Sequence, residues 1–575
     1  MTDQDNTLDA VTSRTTDDVL DASGGFDAIV VGAGAAGGLA AMLLTQGGLK
    51  VLVLDAGWRP GFLRAPLRTM TAAAVQALTN PALQRVLPAR LIHMGDRALR
   101  LVGRARQPVQ SRCFAWGMAP AAFVDDRDHP YVANGDHPFK WFRVQQLGGR
   151  LTVPGHGRQY YRLGDSVFQP PDNETARWPY GAEDLNPWYD AVEELIEIEA
   201  AHDGCPHVPD SNPAIVRTPL GWEAEVIDAV KSEFPAAHAI VGRSAAPPET
   251  LSKAAQTGRL YCRKGAIGAT VEQHKDGRVS GVTWYDRANG RMRSAEAPLV
   301  FLCASTLEST RIMLASGRDR RNGGPGAQSG LLGTHLMDHV LLSGVGEGGP
   351  LPDEPIENIP GRCVYLPRFD LRSTVQPTVG SDTAMPGTPV TTGSKDGFSV
   401  QVHRWSTRPG RSHFVAVSFS EMQPRRENHV RLHPTRTDKF GLPVLDIHID
   451  HSEQERTKAQ TQSEAIADVG RLFGIDFHRL DAEPAPAGTA LHECGTARMG
   501  DRPENSVLDG YAQCWDAPGL YVSDGAALPS QGLEHPTLTI MAVTARACAH
   551  ALNGMIEVNT PIERNEALQR LVDTA

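Results

Sequence analysis

The stretch from Phe26 to Gly57, FDAIVVGAGAAGGLAAMLLTQGGLKVLVLDAG, leaves this chain the fewest choices of fold. Asp27 to Val31 is short, apolar and β-branched, as a strand buried on both faces must be. Gly32, Gly34 and Gly37 follow in the order G-x-G-x-x-G, with Gly38 behind them. Leu39 to Gln46 has helical composition, Gly47 and Gly48 close it, and Lys50 to Leu54 is a second apolar strand ending in Asp55. Strand, glycine turn, helix, strand and acid within about 30 residues is the unit that binds a dinucleotide. In such a unit Gly32 permits the tight turn, Gly34 admits a pyrophosphate to the backbone, and Gly37 lets helix and strand pack closely. The helix start offers N–H groups to the phosphates. Asp55, 21 residues beyond Gly34, is spaced to bind ribose hydroxyls. The competing reading is a glycine-rich turn in an ordinary α/β core.

A chain of 575 residues exceeds one core, so two or more domains are expected. With 41% apolar and 21% charged residues it has the make-up of a soluble globular protein. A net charge of −11 argues against nucleic acid as a main partner, because phosphate binding needs basic surface. The eight cysteines form no CxxC pair, so they read as reduced buried thiols, with no metal site or disulfide framework implied. Residues 1–25 are polar and lack the basic and apolar parts of an export signal, which predicts a disordered leader on a cytoplasmic protein. The apolar run from Ala28 to Leu54 is broken by glycines, so no membrane span is expected. Residues 61–110 are Arg-rich and partly amphipathic; they read as a solvated helix face, or alternatively as a membrane or partner surface.

Phe123 to Asp165 is dense in aromatics, prolines and paired glycines, which predicts a long loop carrying Trp141, Arg143, Gly148 and Gly149 against a flat ligand. A helix is expected to start at Asn186-Pro187. Lys275-Asp276-Gly277 marks a hairpin within Leu260 to Val282. Leu299 to Cys303 is a buried strand, and the helix over Leu307 to Ala315 returns the chain to the nucleotide domain. Residues 344–397 are rich in Pro, Gly and Thr and read as surface loops. Residues 398–450 alternate as half-buried antiparallel strands do, and a helix follows over 452–475. The expected fold class is therefore α/β, a Rossmann-like parallel-sheet domain interrupted by an α+β domain built on an antiparallel sheet.

Near the C-terminus stand His492 and His535, 43 positions apart. Leu520 to Ser523 is a short strand, Asp524-Gly525 ends it, and Pro536 is suited to open a helix, which places His535 at its N-cap. A helix start stabilises nearby negative charge by about 0.3–1 kcal/mol, which suits the reduced, anionic ring of a flavin. An imidazole of pKa about 6.5 can take the proton of an alcohol as it is oxidised. A lone histidine is more often structural; two, each beside a glycine turn or helix start in a dinucleotide-binding chain, point to alcohol oxidation.

These residues together resemble the glucose–methanol–choline (GMC) oxidoreductases, an FAD-dependent family, from about residue 25 to residue 553. The match rests on the Gly32-Gly34-Gly37 turn with Asp55, where the family more often has Glu. It includes LGGRLTVPG (147–155), VFLCASTLESTRIMLAS (300–316) with Ser305 at a usual glycine position, and GTHLMDH (333–339). It closes with HECGTARMG (492–500), GLYVSDGAALPS and HPTLTIMA. The resemblance implies His492 as base and His535 as its partner on the substrate hydroxyl, with hydride passing to the flavin N5. It implies FAD contacts from Gly32, Gly34, Ala35, Ala36, Gly37, Asp55, Ala56, Gly148, Gly149, Leu151 and Val153. Ala269 and Val271 resemble the adenine-side segment, while Asp524, Gly525, Pro536, Thr537 and Leu538 would face the flavin. Some sugar oxidases of the family attach FAD through a histidine; Val153 stands there, with His156 just beyond, so non-covalent FAD is expected.

FVDDRDHPY, PFKWFRVQQLGGR and EMQPRRENHVRLHP look like bacterial glycoside 3-dehydrogenases and pyranose oxidases, which implies a sugar or glycoside substrate. The electron acceptor would be O2 or a redox partner. Some members of that branch carry an accessory subunit and an iron–sulfur cluster; an accessory subunit stays possible, while Cys205 stands alone in the comparable region. The expected layout is a leader (1–25), FAD-binding parts at 26–175, 256–340 and 489–556, substrate-domain parts at 176–255 and 341–488, and a tail (557–575). Alternatives are a GMC enzyme for an alkyl, sterol or choline-like alcohol, and a non-catalytic flavin-binding protein. A nicotinamide dehydrogenase would leave the C-terminal signature without a task.

Overall fold

The computed structural model describes residues 25–58, 97–98, 101, 103–135, 137–153, 158–170, 174–318, 323–348, 362–373, 397–408 and 411–556. Residues 1–24, the tail at 557–575, most of the Arg-rich stretch and His156 lie outside these residues.

Strand β1 (Ala28–Val31), helix α1 (Ala35–Gln46) and strand β2 (Val51–Asp55) form the expected unit. The helix begins at the glycine turn itself, ahead of Leu39, because Ala35, Ala36, Gly37 and Gly38 are small enough to wind against the sheet. Next in the chain come helices α2 (Ala182–Leu195) and α3 (Gly221–Glu233) and strands β3 (Ile240–Val241) and β4 (Leu260–Lys264). A meander of β5 (Ala266–Gln273), β6 (Val279–Asp286) and β7 (Arg291–Glu296) leads to β8 (Leu299–Leu302) and α4 (Thr306–Ser316). Strands β9 (Val340–Gly348), β10 (Val364–Leu366), β11 (Phe398–Arg408) and β12 (Arg411–Ser420) precede α5 (Glu453–Phe473) and β13 (Ile475–Leu480). The chain then returns through β14 (Leu520–Val522) to α6 (Thr537–Ile556).

The parallel sheet has the order β14-β8-β1-β2-β4. Every residue of β1, β2 and β8 is buried, which is why these strands read as unbroken apolar runs rather than alternating ones. Because the strands are parallel, the glycine turn, Asp55, the segment after Leu302 and the segment after Val522 all emerge along one edge. That carboxyl edge is where open α/β sheets bind ligands.

The antiparallel sheet has the order β13-β9-β12-β11-β10-β3. Helix α5 covers one face, its Ala465, Ile466 and Val469 in the same buried clusters as Leu342, Val400, Phe414 and Ala416. A capping box starts α5: the Ser452 hydroxyl accepts from Glu455 N and the Glu455 carboxylate accepts from Ser452 N.

Three expectations change. Helix α2 starts at Ala182, where the Asp184 carboxylate accepts from Gly181 N at 3.1 Å, and Pro187 lies inside the helix. Residues 344–348, expected as loop, complete strand β9, next to the edge strand β13. Its glycines reflect crowding: a Cβ on Gly344 would lie 2.8 Å from Ile466, and one on Gly346 would lie 2.4 Å from the Asp476 carbonyl. Finally, His429–Thr437 pairs with Pro443–His448, which also pairs with Val132–Ala133, in a separate sheet.

Candidate active site

A cavity of about 1540 Å³ runs along the carboxyl edge of the parallel sheet and reaches the antiparallel one. Gly32, Gly34, Ala35, Ala36, Asp55 and Ala56 line one end, and His492, His535, Pro536 and Thr537 line the other. Gly32 has φ +96° and lies so close to the next strand that a Cβ would be 2.4 Å from the Cys303 carbonyl. Gly34 is the opposite case: a Cβ there would meet no protein atom within 4 Å, because the backbone faces the cavity. Helices α1 and α4 have no side-chain cap, and both start on this cavity, as does α6. Three helix starts on one hollow suit a ligand with a pyrophosphate and an electron-accepting ring.

Asp55 is buried, its carboxylate accepting from Ala33 N at 3.0 Å and Gly57 N at 2.7 Å. Burial raises its pKa and these two N–H donors oppose the rise. Asp524 is held the same way, by Ser309 Oγ and Ala526 N, and burial pushes it up to about 6. Gly149 and Leu151 line the cavity, and Gly148 N donates to the Ala33 carbonyl at 3.1 Å, which ties the paired-glycine loop to the glycine turn. The residues present thus fit FAD.

Several expected cofactor residues lie off the cavity. Gly37 packs against the glycine turn, where a Cβ would overlap the Gly32 carbonyl at 1.9 Å. Gly148 does not line the cavity, and Val153 is wholly buried in a cluster with Trp116 and Phe142. Ala269 and Val271 lie further along β5 and pack into the core, whereas Ala266, Ile267 and Gly268, where the strand crosses the sheet edge, line the cavity instead. Leu538 faces inward from the first turn of α6.

Folding brings the two histidines together: the His492 and His535 rings lie 4.7 Å apart at 79°. Phe419 on β12 touches both, its ring 5.4 Å from His492 and 5.3 Å from His535. Behind His492 lies His339, with Nδ1 to Nδ1 at 2.8 Å. The other nitrogen of His339 is 3.0 Å from the Gly532 carbonyl, which can only accept. Burial lowers His339 to about 4, so it is neutral and carries its one proton on Nε2. His339 Nδ1 is then an acceptor, His492 Nδ1 carries a proton, and His492 Nε2 is the basic nitrogen.

Asp338 fixes the backbone beneath: its carboxylate accepts from His492 N at 3.0 Å and from Gly488 N at 2.6 Å. Burial and the nearby Glu493 charge raise Asp338 to about 7. Arg150 clamps the same segment to the paired-glycine loop through the Leu491 carbonyl (2.6 Å) and Glu493 (3.0 Å). On the other side the Gln401 amide lies 3.3 Å from His535 Nδ1 and 3.4 Å from His403 Nε2. Lost contact with bulk water lowers His535 to about 3, with the His339 and His403 rings adding to the shift. The roles of Asp338, His339, Arg150, Gln401 and His403 were not assigned from sequence. GTHLMDH contained a signal for the first two, whereas Gln401 and His403 looked like any residues of an alternating strand.

Residues 424–544, which contain His492 and His535, match the GMC oxidoreductase family, and residues 30–68 match an NAD(P)-binding Rossmann-like domain. This chain carries the C-terminal domain of a GMC oxidoreductase. It is an FAD-dependent oxidoreductase acting on CH–OH groups. The chain is 28% identical to 2-methyl-1,2-propanediol dehydrogenase of Mycolicibacterium austroafricanum over 72% of this chain and 82% of that one. It is 24% identical to paromamine 6'-oxidase of Streptomyces fradiae over 93% of each. To C-glycoside 3-oxidase of Microbacterium trichothecenolyticum it is 24% identical over 48% of this chain and 51% of that one. Among solved structures, pyridoxine 4-oxidase from Mesorbium loti shares the fold with a TM-score of 0.55 at 17% identity, covering 93% of this chain and all of that one. Among the described residues no helix is long and apolar enough to cross a membrane, and no cluster could hold a metal ion.

Proposed function

We propose that this GMC oxidoreductase oxidises a ring or side-chain hydroxyl of a sugar or glycoside, with His492 as base and His535 as its partner. The observation that carries the reading is the histidine pair, 4.7 Å apart, at the end of a cavity that opens on the glycine turn. Bound FAD supplies the two-electron acceptor that the side chains lack. His492 Nε2 takes the hydroxyl proton, which its tautomer permits, while Asp338 and His339 keep the ring in place. His535, anchored at Nδ1 by Gln401, holds the substrate oxygen. Residues near the glycine turn, with Asp55, would hold the dinucleotide, and the start of α6 would hold charge on the flavin ring.

Relatives named for paromamine and C-glycosides support a sugar substrate. The similarity to a propanediol dehydrogenase keeps a small non-sugar alcohol as the second reading. FAD is held without a covalent bond, since Val153 is aliphatic and enclosed; acid precipitation of the holoprotein should release all flavin to the supernatant. The eight free cysteines suit a reducing, cytoplasmic compartment. The acceptor is O2 or a redox partner.

The test is anaerobic bleaching of the flavin by sugars, glycosides and simple alcohols. His492→Ala should slow bleaching by about 10² or more with FAD retained, the scale of a lost general base. Unchanged kinetics would refute the role, and bleaching by aliphatic alcohols alone would favour the second reading.

A further inference from the structure

The antiparallel sheet has an anomalous second face. One face packs on α5; an antiparallel sheet whose other face is open normally carries polar residues there. Here the open-side positions of β9 and β12 read Leu341, Ser343, Val345 and Val415, Val417, Phe419. In register these are Leu341 opposite Phe419, Ser343 opposite Val417, and Val345 opposite Val415. All six line the cavity. The four aliphatic members are only half-buried, whereas Leu342, Phe414 and Ala416 on the reverse face are buried.

This aliphatic strip is continuous with the reaction point, because Phe419 touches both His492 and His535. Val415 is four residues further along β12, roughly 13 Å away at about 3.3 Å per residue. The adjoining strand β11 is polar at the same levels, with Gln401 opposite Val417 and His403 opposite Val415. The far end closes on paired charges: Asp481 accepts from Ser343 N at 3.0 Å and Ser343 Oγ at 2.7 Å, and Arg479 lies 3.7 Å from Asp481. Trp222 joins the lining there.

We propose that this strip binds the apolar, uncharged aglycone of a glycoside whose sugar ring is presented to His492 and His535. The proposal rests on the glycoside reading above. A second sugar ring does not suit the strip, because its hydroxyls would lose water against Leu341, Val345, Val415 and Val417, whose side chains offer no hydrogen bond. A charged aglycone does not suit the aliphatic strip either, since Arg479 and Asp481 beside Ser343 lie 3.7 Å from each other.

The experiment measures kcat/KM for anaerobic flavin bleaching of the FAD-loaded enzyme with methyl, butyl, octyl and phenyl glycosides of the sugars in the panel. It is repeated for the V415T/V417T double variant, which keeps side-chain shape and strand preference but adds hydroxyls. The expected result is a rise of about fourfold per methylene while the strip fills. The double variant should lower the octyl-to-methyl ratio by about tenfold. Equal values for methyl and octyl glycosides, or an unaltered ratio in the variant, would overturn the proposal while the glycoside reading stands. Bleaching by long-chain alcohols but by no glycoside would overturn both, and differs from the first failure in that the methyl glycosides are themselves inert.

Discussion

Replacing His339 with phenylalanine isolates the step in which one buried ring sets the proton position on another. Phenylalanine preserves a planar ring but removes Nδ1, 2.8 Å from His492, and Nε2, 3.0 Å from the Gly532 carbonyl. The His492 Nδ1–H is then left without its acceptor in a buried site, at a cost of about 1–3 kcal/mol. His492 escapes by turning or by moving its proton to Nε2, and either change removes the basic nitrogen from the substrate. At about 1.4 kcal/mol per factor of ten, the expected loss in the rate constant for flavin reduction is about 5- to 150-fold. Anaerobic stopped-flow absorbance over a range of substrate concentrations separates that constant from substrate Kd, which should stay within about threefold of the parent. His339→Asn, whose amide oxygen can stand where Nδ1 stood, should recover most of the rate. A reduction rate within about twofold of the parent in H339F with flavin fully bound would refute the tautomer argument.

The same variant has a pH signature. His339 is held at about 4 while an unfolded histidine titrates near about 6.5, so only the unfolded chain takes up that proton between them. Its contribution to stability is fully present above about pH 6.5 and lost as the pH falls toward 4. The stability of the parent relative to H339F, from urea unfolding, should therefore fall by about 1.4 kcal/mol per pH unit in mid-window; a difference independent of pH would count against it. Gly34→Ala should leave the apoprotein's thermal midpoint unchanged, since its Cβ meets no protein atom, yet weaken FAD binding about tenfold or more in a fluorescence titration; unchanged affinity would show that the cofactor does not approach this turn. Ser305 has φ +80° at the start of α4, a conformation that strains any side chain, so Ser305→Gly should raise stability by about 1 kcal/mol, seen as a higher unfolding midpoint. A lower midpoint would mean that the Ser305 side chain has a compensating role.

Local patterns made much of the fold legible. The glycine turn with flanking apolar strands can satisfy its backbone in few ways, and strands β1, β2 and β8 stand where their unbroken apolar runs put them. The alternation from Phe398 onward likewise announced an antiparallel sheet. Strand β9 misled because its glycines at 344, 346 and 348, which look like loop residues, answer to Ile466, Asp476 and Phe414, neighbours 66 to 130 positions away. Ala269 and Val271 lie further along β5 than the residues that line the cavity for a related reason: how far a strand runs past a sheet edge depends on its neighbours, here β2 and α4.

By itself the sequence determined the dinucleotide unit and the alternation of α/β and antiparallel parts, and it marked the two candidate histidines, because turn geometry, strand period and helix starts are short-range properties. Only the tertiary structure decided which nitrogen of His492 is basic, since that depends on a chain through His339 to Gly532, 193 residues apart in sequence. It also decided that Leu341, Val345, Val415 and Val417 face a cavity and not the core. An alternating strand shows that it has two faces, but which of them is covered depends on where α5 packs.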